Sequence, residues 1–211
     1  MTTSSNAAWL DKVYNARNRE ELAEGYDAWA ADYDRDLMSF GYKIPAVTSG
    51  FIGRYIEPNA APLLDAGAGT GIMGETLNLL GFDKLVAIDL SQGMLEQARK
   101  KNIYDELHQM ALGDPLDFAD DTFAATIATG VFTAGHAPAE SFDELLRITQ
   151  PGGHLIFTVR ADVYLEQGFK QKQDTLERDG AWHLVEMTAP FQSLPLGEPE
   201  VRNQTFVYEV A

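Results

Sequence analysis

Cysteine is absent from this chain of 211 residues, and basic residues are scarce. Without cysteine the protein can form no disulfide, no thiolate zinc site and no cysteine nucleophile. Only 16 lysine and arginine residues stand against 32 aspartate and glutamate residues, which gives a formal charge of −16. This charge opposes binding to nucleic acid and to anionic membrane surfaces, because each contact would be made in a repulsive field. A small molecule or a protein is therefore the expected partner.

Long hydrophobic runs are also lacking. The most apolar stretch, 122–135, is too short to cross a bilayer, and residues 1–11 lack the basic start and apolar centre of a secretory signal. We therefore expect a cytoplasmic protein without membrane contact. The chain does have 45% hydrophobic residues, enough for a sizeable core, and its length suits one domain better than two.

The spacing of apolar residues changes after residue 57. Before that point they recur at steps of three and four, which predicts helices. From residue 62 onward, short apolar strands alternate with helices, which predicts a mostly parallel sheet with helices on both faces. Segments 182–187 and 205–210 look like strands with no strong helix between them, so they predict an antiparallel edge. Seven strands are expected in all.

The most informative segment is the turn at 63–71 (LLDAGAGTG), between a predicted strand and a predicted helix. Its glycines allow a tight turn and let a ligand approach the main chain without meeting a Cβ atom. In a parallel sheet, ligands bind at such a point, beyond the carboxyl end of the strand. Gly69, Gly71 and Gly74 fit the dinucleotide fingerprint, with Asp89 placed as a ribose-binding acid. NAD is therefore one candidate ligand.

A second frame of this turn places Asp65 ahead of Gly67, Gly69 and Gly71. An acid at the strand end would repel a pyrophosphate, which favours a bare helix N-terminus. The same acid would suit a ligand that carries an ammonium and a sulfonium group. This frame strongly resembles motif I of the class I S-adenosylmethionine-dependent methyltransferases, (D/E)-x-G-x-G-x-G, and so favours S-adenosylmethionine as the cofactor.

Later segments resemble the other motifs of that family, in order. They are 86–91 (VAIDLS), 91–95 (SQGML), 113–116 (GDPL), 128–130 (ATG) and 145–158, which contains a Pro-Gly-Gly turn before an apolar strand. The resemblance implies that Asp89 binds the ribose hydroxyls and that the acid of the third loop, Asp114, meets the adenine amino group. The implied cofactor-binding residues of the core are Asp65, Gly67, Ala68, Gly69, Gly71, Asp89, Leu90, Met94, Gly113, Asp114, Pro115, Thr129 and Gly130.

Segments 26–34 and 129–138 are similar to a narrower group, the Williams–Beuren region methyltransferase-like proteins. In related methyltransferases an N-terminal aromatic helix closes over the cofactor, with a tyrosine hydroxyl near its carboxylate. The resemblance therefore implies a helical lid over 1–57, with Tyr26, Trp29 and Tyr33 among the cofactor-binding residues. Helical spacing of aromatic residues is equally typical of an ordinary core.

Methyl transfer from a sulfonium is a direct displacement, which needs alignment and exclusion of water more than a catalytic residue. A general base is needed only where the acceptor must lose a proton early. His136, which follows the fourth predicted strand, is the candidate base, because the pKa of an imidazole suits that task near neutrality. No pair among the histidines has metal-ligand spacing, so no metal is expected.

We therefore expect an α/β fold, a Rossmann-like three-layer sandwich with a mostly parallel seven-stranded sheet and an antiparallel edge strand. Residues 1–211 would form one methyltransferase domain, with a lid over 1–57 and a core over 62–211. The expected function is S-adenosylmethionine-dependent methyl transfer to oxygen, nitrogen or carbon of a small-molecule acceptor. The alternatives are a non-catalytic S-adenosyl-ligand-binding protein on the same fold and an NAD-dependent oxidoreductase. The sequence predicts no oligomeric state.

Overall fold

The computed structural model describes residues 6–211 as helices arranged around one sheet. The helices are α1 (Asn6–Tyr14), α2 (Arg19–Trp29), α3 (Tyr33–Ser39), α4 (Ile44–Tyr55), α5 (Ile72–Leu79), α6 (Gln92–Lys101), α7 (Ser141–Ile148), α8 (Ala161–Glu166) and α9 (Phe169–Arg178). The strands are β1 (Leu63–Ala66), β2 (Leu85–Asp89), β3 (Glu106–Gln109), β4 (Phe123–Phe132), β5 (Thr149–Arg160), β6 (Trp182–Met187), β7 (Phe191–Gln192) and β8 (Arg202–Val210). Within this range, no helix is both long and apolar enough to span a membrane.

The strands lie in the order β3-β2-β1-β4-β5-β8-β6, and the two-residue β7 also pairs with β8. Strands β1 to β5 are parallel to their neighbours, whereas β8 runs antiparallel to β5, β6 and β7. The prediction of a mostly parallel, seven-stranded Rossmann-like sheet with an antiparallel edge is confirmed, with β7 as an additional short strand. The strand order reverses between β1 and β4, which opens a crevice at their carboxyl ends.

Both faces of the sheet are buried, which explains why its inner strands are continuous apolar runs rather than alternating ones. In β1, for example, all the residues are buried, and Leu63 and Leu64 point into different clusters on opposite faces. The cluster on the Leu64 face is rich in aromatic rings in contact with one another, including those of Phe142, Phe157 and Trp182. This core holds the strand ends in fixed positions around the crevice.

A third apolar cluster joins the N-terminal helices to the rest of the molecule. It is formed by buried Val13, Leu22, Trp29, Leu37, Phe40 and Leu194, with the tyrosines of α2 and α3 packed against it. Helices α2 and α3 therefore cover the crevice from above the glycine-rich turn. The N-terminal residues 1–5 of the predicted lid lie outside the described range.

Two long predicted helices are each divided in two. The spacing predicts one helix over 21–38, but α2 ends at Trp29 and α3 begins at Tyr33. The break brings the Trp29 and Tyr33 rings to 4.7 Å and lets the Trp29 indole donate to buried Asp36 at 2.9 Å. The predicted helix over 162–178 is interrupted at Gly168, whose φ of 79° is incompatible with a continuous right-handed helix.

Candidate active site

A cavity lies between the helices α2 and α3 and the carboxyl ends of β1, β2 and β4. Predicted site residues that line it are Tyr26, Tyr33, Gly67, Ala68, Gly69, Asp89, Leu90, Met94, Thr129, Gly130 and His136. Segments far apart in the sequence are thus brought to one place. The other predicted residues, Trp29, Asp65, Gly71, Gly113, Asp114 and Pro115, lie outside its lining.

The floor of the cavity is the glycine-rich turn, held in place by Asp89 at the end of β2. The Asp89 carboxylate accepts hydrogen bonds from the amides of Gly69 and Ser91, each at 2.8 Å. Gly67 has a φ of 76°, and a Cβ atom there would lie 2.0 Å from the Val131 side chain. Glycine is therefore required at this position both for backbone conformation and for space.

Asp65 lies directly behind the glycine-rich turn and is fully shielded from solvent. Its Oδ2 accepts a 2.6 Å hydrogen bond from the Tyr104 hydroxyl, while its buried Oδ1 has no hydrogen-bond partner in residues 6–211. Burial raises the Asp65 pKa to about 7, against the lowering effect of the Tyr104 bond, and the nearby Asp89 charge raises it further. A buried carboxyl with a spare acceptor atom suits a cationic group in the neighbouring cavity.

Asp89 is the second acid of this floor. Burial raises its pKa, whereas its bonds to the Ser91 and Gly69 amides lower it. Each of its oxygens has further acceptor capacity, because a carboxylate oxygen accepts more than one hydrogen bond. It can therefore hold the turn and accept from a ligand hydroxyl together.

Two acids, one on α2 and one on α3, bond these helices to the floor of the cavity. Asp27 of α2 accepts from the Ser91 hydroxyl at 2.5 Å and from the Gly93 amide at 2.8 Å, at the N-terminus of α6. Asp34 of α3 accepts from the Thr70 hydroxyl and pairs with Lys101 at 2.8 Å. Carboxylates at helix N-termini are favoured by the unpaired amides and the helix dipole.

The roof of the cavity carries tyrosine hydroxyls that differ in their bonding. The Tyr26 hydroxyl is bonded to His136, but those of Tyr33 and Tyr42 have no protein hydrogen-bond partner in the described part of the chain. Burial raises the pKa of both Tyr33 and Tyr42, so the hydroxyls stay protonated. They are therefore available to donate to a ligand.

His136 lies in the loop after β4, at one end of the cavity. Its Nδ1 is 2.8 Å from the Ala134 carbonyl oxygen and 2.8 Å from the Thr133 hydroxyl. Because a carbonyl oxygen only accepts, Nδ1 carries the proton and Nε2 accepts from the Tyr26 hydroxyl at 2.8 Å. Burial lowers the pKa of His136 and the Arg160 charge lowers it further, so the ring is neutral near pH 7.

The third-strand loop is placed differently from what the family resemblance implies. Asp114 is exposed and bonded to Arg19 at 2.6 Å, which lowers its pKa. The cavity is instead lined there by the preceding residues, Met110, Ala111 and Leu112. Gly113 packs against Pro138, so this loop closes the outside of the cavity wall.

Of the remaining predicted residues, Trp29 and Gly71 lie behind the lining, whereas Pro115 is exposed. Trp29 is buried in the third apolar cluster and bonded to Asp36, and a Cβ atom on Gly71 would lie 3.1 Å from the Tyr104 ring. Arg160 and Asp162 form a double hydrogen bond at 2.8 and 2.6 Å outside the lining. No group of three or more histidine or acidic residues within 6–211 is arranged to hold a metal ion.

Sequence reasoning missed several lining residues. They are Arg19, Leu22, Leu37, Tyr42, Pro45, Thr70, Ile72, Met73, Met110, Ala111, Leu112, Val131 and Ala137. The helical spacing of Leu22 and Leu37 with the aromatic stripe is a signal that would have found those two. Tyr42 has no such signal, because it enters the cavity from the α3–α4 connection, where a Cβ atom on Gly130 would be 3.1 Å from its hydroxyl.

The described residues fit S-adenosylmethionine. Its positive charge matches the buried acid Asp65 behind the turn, its ribose hydroxyls match the spare acceptor capacity of half-buried Asp89, and its adenine matches apolar Leu90, Met94 and Met110. A pyrophosphate would instead meet carboxylates at the turn.

Comparison with known proteins also indicates a methyltransferase. The family model of a methyltransferase domain matches residues 64–157. Methyltransferase-like protein 27 of Homo sapiens is 33% identical over 163 residues, which cover 74% of this chain and 66% of that protein. Demethylmenaquinone methyltransferase of Clavibacter sepedonicus is 38% identical over 146 residues, which cover 64% of this chain and 56% of that protein. The chain thus spans less than two thirds of the length of these curated relatives.

Solved structures share the fold at low sequence identity. A chain from the complex between the Trm112 methyltransferase activator of Haloferax volcanii and a methyltransferase superposes with a TM-score of 0.64 at 19% identity, covering 88% of this chain and 97% of that one. An S-adenosylmethionine-dependent methyltransferase from Mesorhizobium loti superposes with a TM-score of 0.57 at 16% identity, covering 77% of this chain and 97% of that one.

Proposed function

The chain belongs to the class I S-adenosylmethionine-dependent methyltransferases, and we propose that it transfers the methyl group of this cofactor to a small-molecule acceptor. The observation that carries the proposal is that two acids, Asp65 and Asp89, lie under the glycine-rich turn beside a cavity that α2 and α3 cover. Buried acids beside a glycine-rich turn are suited to a cationic nucleoside rather than to a pyrophosphate.

Each part of the cofactor has matching residues in the cavity. We propose that Asp89 accepts from the ribose hydroxyls and that Leu90 and Met94 flank the adenine, at the start of α6. The backbone of 67–69 would lie against the amino-acid portion, with Asp65 behind it as the countercharge. Thr129 and Gly130, at the end of β4, would border the reacting end.

The methyl transfer itself requires few reactive side chains from the protein. The sulfonium cofactor supplies an electrophilic methyl group and a neutral leaving group, so the protein must align the acceptor and exclude water. The apolar side chains of Leu22, Leu37 and Ile72 line the cavity and would exclude water. The lid that carries Leu22 and Leu37 is fastened by Asp27 and Asp34.

The same contacts support the division of the chain. We propose that residues 1–57 act as a lid on the core formed by 62–211, within one methyltransferase domain over 1–211. Closure over the ligand explains why lid tyrosines and core glycines line one cavity.

Relatives support a small acceptor. Their names specify demethylmenaquinone in one case and a malonyl group on acyl-carrier protein in another, from Yersinia pestis. The formal charge of −16 disfavours a nucleic-acid substrate, because the protein would repel its phosphates. We propose an acceptor that enters beside His136, between the end of β4 and the lid.

Calorimetric titration with S-adenosylmethionine, S-adenosylhomocysteine and NAD tests the cofactor assignment. We expect micromolar binding of the first two and no binding of NAD. Binding of NAD alone would contradict the proposal and favour an oxidoreductase. Release of S-adenosylhomocysteine in the presence of acceptor candidates then separates an enzyme from a protein that only binds the ligand.

A further inference from the structure

A bonded pair of ionisable side chains closes one end of the cavity. Tyr26 comes from the lid helix α2 and His136 from the loop after β4, and both line the cavity. The Tyr26 hydroxyl and the His136 Nε2 atom are 2.8 Å apart, which is normal hydrogen-bond distance. The pair forms only when the lid lies on the core, because its members belong to different parts of the chain.

The direction of this hydrogen bond is set by the main chain. The Ala134 carbonyl, 2.8 Å from Nδ1, fixes the proton on that nitrogen. Nε2 is therefore the basic atom of His136, and the tyrosine donates to it. A group that fixes the tautomer and orients the imidazole is what a histidine base requires.

We propose that Tyr26 and His136 act together as a proton relay for the methyl acceptor, which is therefore a molecule that must lose a proton on transfer, such as a phenol, a hydroquinone or a carbon acid. This inference rests on the proposed function. His136 alone cannot reach the acceptor as a base, since Tyr26 occupies its Nε2. Tyr26 is the catalytic residue of the pair, and His136 accepts the proton through it.

The relay balances protons and electrons. As the acceptor oxygen or carbon forms its bond to the methyl group, the proton on that atom passes to the Tyr26 oxygen. The Tyr26 proton passes at the same time to His136 Nε2, which becomes part of an imidazolium. The electron pair of the broken carbon–sulfur bond stays with sulfur, which loses its positive charge. The imidazolium later returns its proton to water.

The groups around Tyr26 and His136 favour a neutral pair at rest, and they favour release of the proton from the His136 imidazolium after transfer. Tyr14 of α1 packs edge-on against His136 with ring centroids 6.1 Å apart, and its hydroxyl donates to Glu198 at 3.0 Å. Arg160 of β5 lies over the Tyr14 ring at 5.6 Å, and its charge lowers the His136 pKa. Desolvation raises the pKa of Tyr26, and Asp89 raises it further, so Tyr26 works as a relay rather than as a standing phenolate.

An acceptor that is already an anion, such as a carboxylate, would not need this pair. It would also enter a site with buried acids and a neutral imidazole, whereas a protic acceptor would meet the Tyr26 oxygen as its hydrogen-bond partner. The geometry therefore favours the protic class of acceptor over the carboxylate class.

Nitrogen-detected tautomer measurements test the pair on the full chain, without any cofactor. Proton–nitrogen correlation spectra of protein with labelled histidine would be recorded against pH, and His136→Gln would assign the His136 signals. We expect the proton on Nδ1 and an Nε2 signal that moves in Tyr26→Phe. Tyr14→Phe is the matched control, since it touches the same ring without bonding to it, and it should leave the Nε2 signal in place.

A proton on Nε2 in the wild type would overturn the relay. An Nε2 signal at the same position in the wild type and in Tyr26→Phe would also overturn it. A transfer assay then tests the acceptor class with 1,4-dihydroxynaphthalene as the protic probe and 1-naphthoate, which has no acidic proton at neutral pH, as the carboxylate probe. We expect transfer to the first only, with kcat at least tenfold lower in Tyr26→Phe and a rate that rises with pH in the wild type. Transfer to 1-naphthoate that is unaffected by Tyr26→Phe would overturn the acceptor class.

The two proposals fail in different ways. If S-adenosylmethionine does not bind, the proposed function is contradicted, and the tautomer spectra still decide whether the pair exists as described. If the cofactor binds and the Nε2 signal does not move in Tyr26→Phe, the relay is overturned while the proposed function stands.

Discussion

Tyr104 donates a 2.6 Å hydrogen bond to Asp65, and this bond is the only one that the buried carboxyl receives from another side chain within residues 6–211. The bond joins the loop after α6 to the end of β1, beneath the glycine-rich turn. The other carboxyl oxygen has no hydrogen-bond partner in the described range, and burial raises the Asp65 pKa to about 7 in spite of the Tyr104 bond. The buried Asp65 carboxyl therefore lowers the stability of the ligand-free protein, as expected of a group whose role is to bind a ligand.

Asp65→Asn should stabilise the free protein at alkaline pH. A carboxyl whose pKa rises on folding, here from 3.8 to about 7, contributes stability below pH 3.8 that is lost as the pH rises through 7. Asparagine has no proton to lose and stays neutral, so the melting temperature of the variant should exceed that of the wild type at pH 8 and approach it at pH 5. Thermal melts at both values measure this, and exposed Asp117→Asn should show no such pattern.

The same substitution should weaken S-adenosylmethionine binding about tenfold or more at pH 8, because the countercharge is removed. In the wild type, affinity should rise with pH from 6 to 8 as Asp65 ionises. Titration calorimetry at both pH values measures the change. A flat pH profile in a folded wild type would contradict the countercharge role.

Tyr33→Phe and Tyr42→Phe should separate binding from stability. Neither hydroxyl has a protein hydrogen-bond partner in the described part of the chain, so its loss should leave the melting temperature within about 2 °C of the wild type. If either hydroxyl binds the cofactor, affinity should fall about fivefold or more. Unchanged affinity in both variants would leave these tyrosines as packing residues of the lid.

Gly67→Ala should lower both stability and cofactor affinity. The new methyl group would lie 2.0 Å from the Val131 side chain, at a φ of 76°. Gly81→Ala is the matched control, since its φ of 97° carries the backbone strain while none of the surrounding atoms in residues 6–211 lies within 4 Å of the new Cβ atom. We expect about 1 kcal/mol of destabilisation for Gly81→Ala and clearly more for Gly67→Ala, as measured by chemical denaturation.

Asp27→Ala should loosen the lid. It removes the acceptor of the Ser91 hydroxyl and the Gly93 amide, so α2 would lose its polar attachment to α6. We expect the dissociation rate of S-adenosylhomocysteine to rise about tenfold, from loss of about 1–2 kcal/mol of lid attachment. Stopped-flow release measures it. Glu24→Ala removes an exposed acid of the same helix and should leave the rate unchanged.

The glycine-rich turn and the parallel strands could be predicted because each depends on short-range chemistry. Alternate glycines after an apolar strand, with an acid at its end, have few structural solutions, and Asp65 to Gly71 formed the expected turn. The buried strands were recognisable because parallel strands covered on both faces must be continuously apolar.

The features that were missed depend on contacts between distant segments. Asp114 is near its expected loop, but its pairing with Arg19 from α2 draws it to the surface. Tyr42 reaches the cavity only through the connection between α3 and α4, which has no periodic pattern. The bond between Tyr26 and His136 joins residues 110 positions apart, and no local signal predicts it. The roles of the site residues stay predictions.

The position of β8 has a consequence for synthesis. This strand follows β6 in the chain but lies between β5 and β6 in the sheet. While the chain emerges from the ribosome, β5 therefore keeps an open edge, and β6 has no neighbour to join until residues 202–210 arrive. The exposed edge of β5 includes the apolar segment 155–159, which is buried in the finished protein. A nascent chain paused before residue 202 would expose a template for aggregation, so chaperone demand should be greatest at that point.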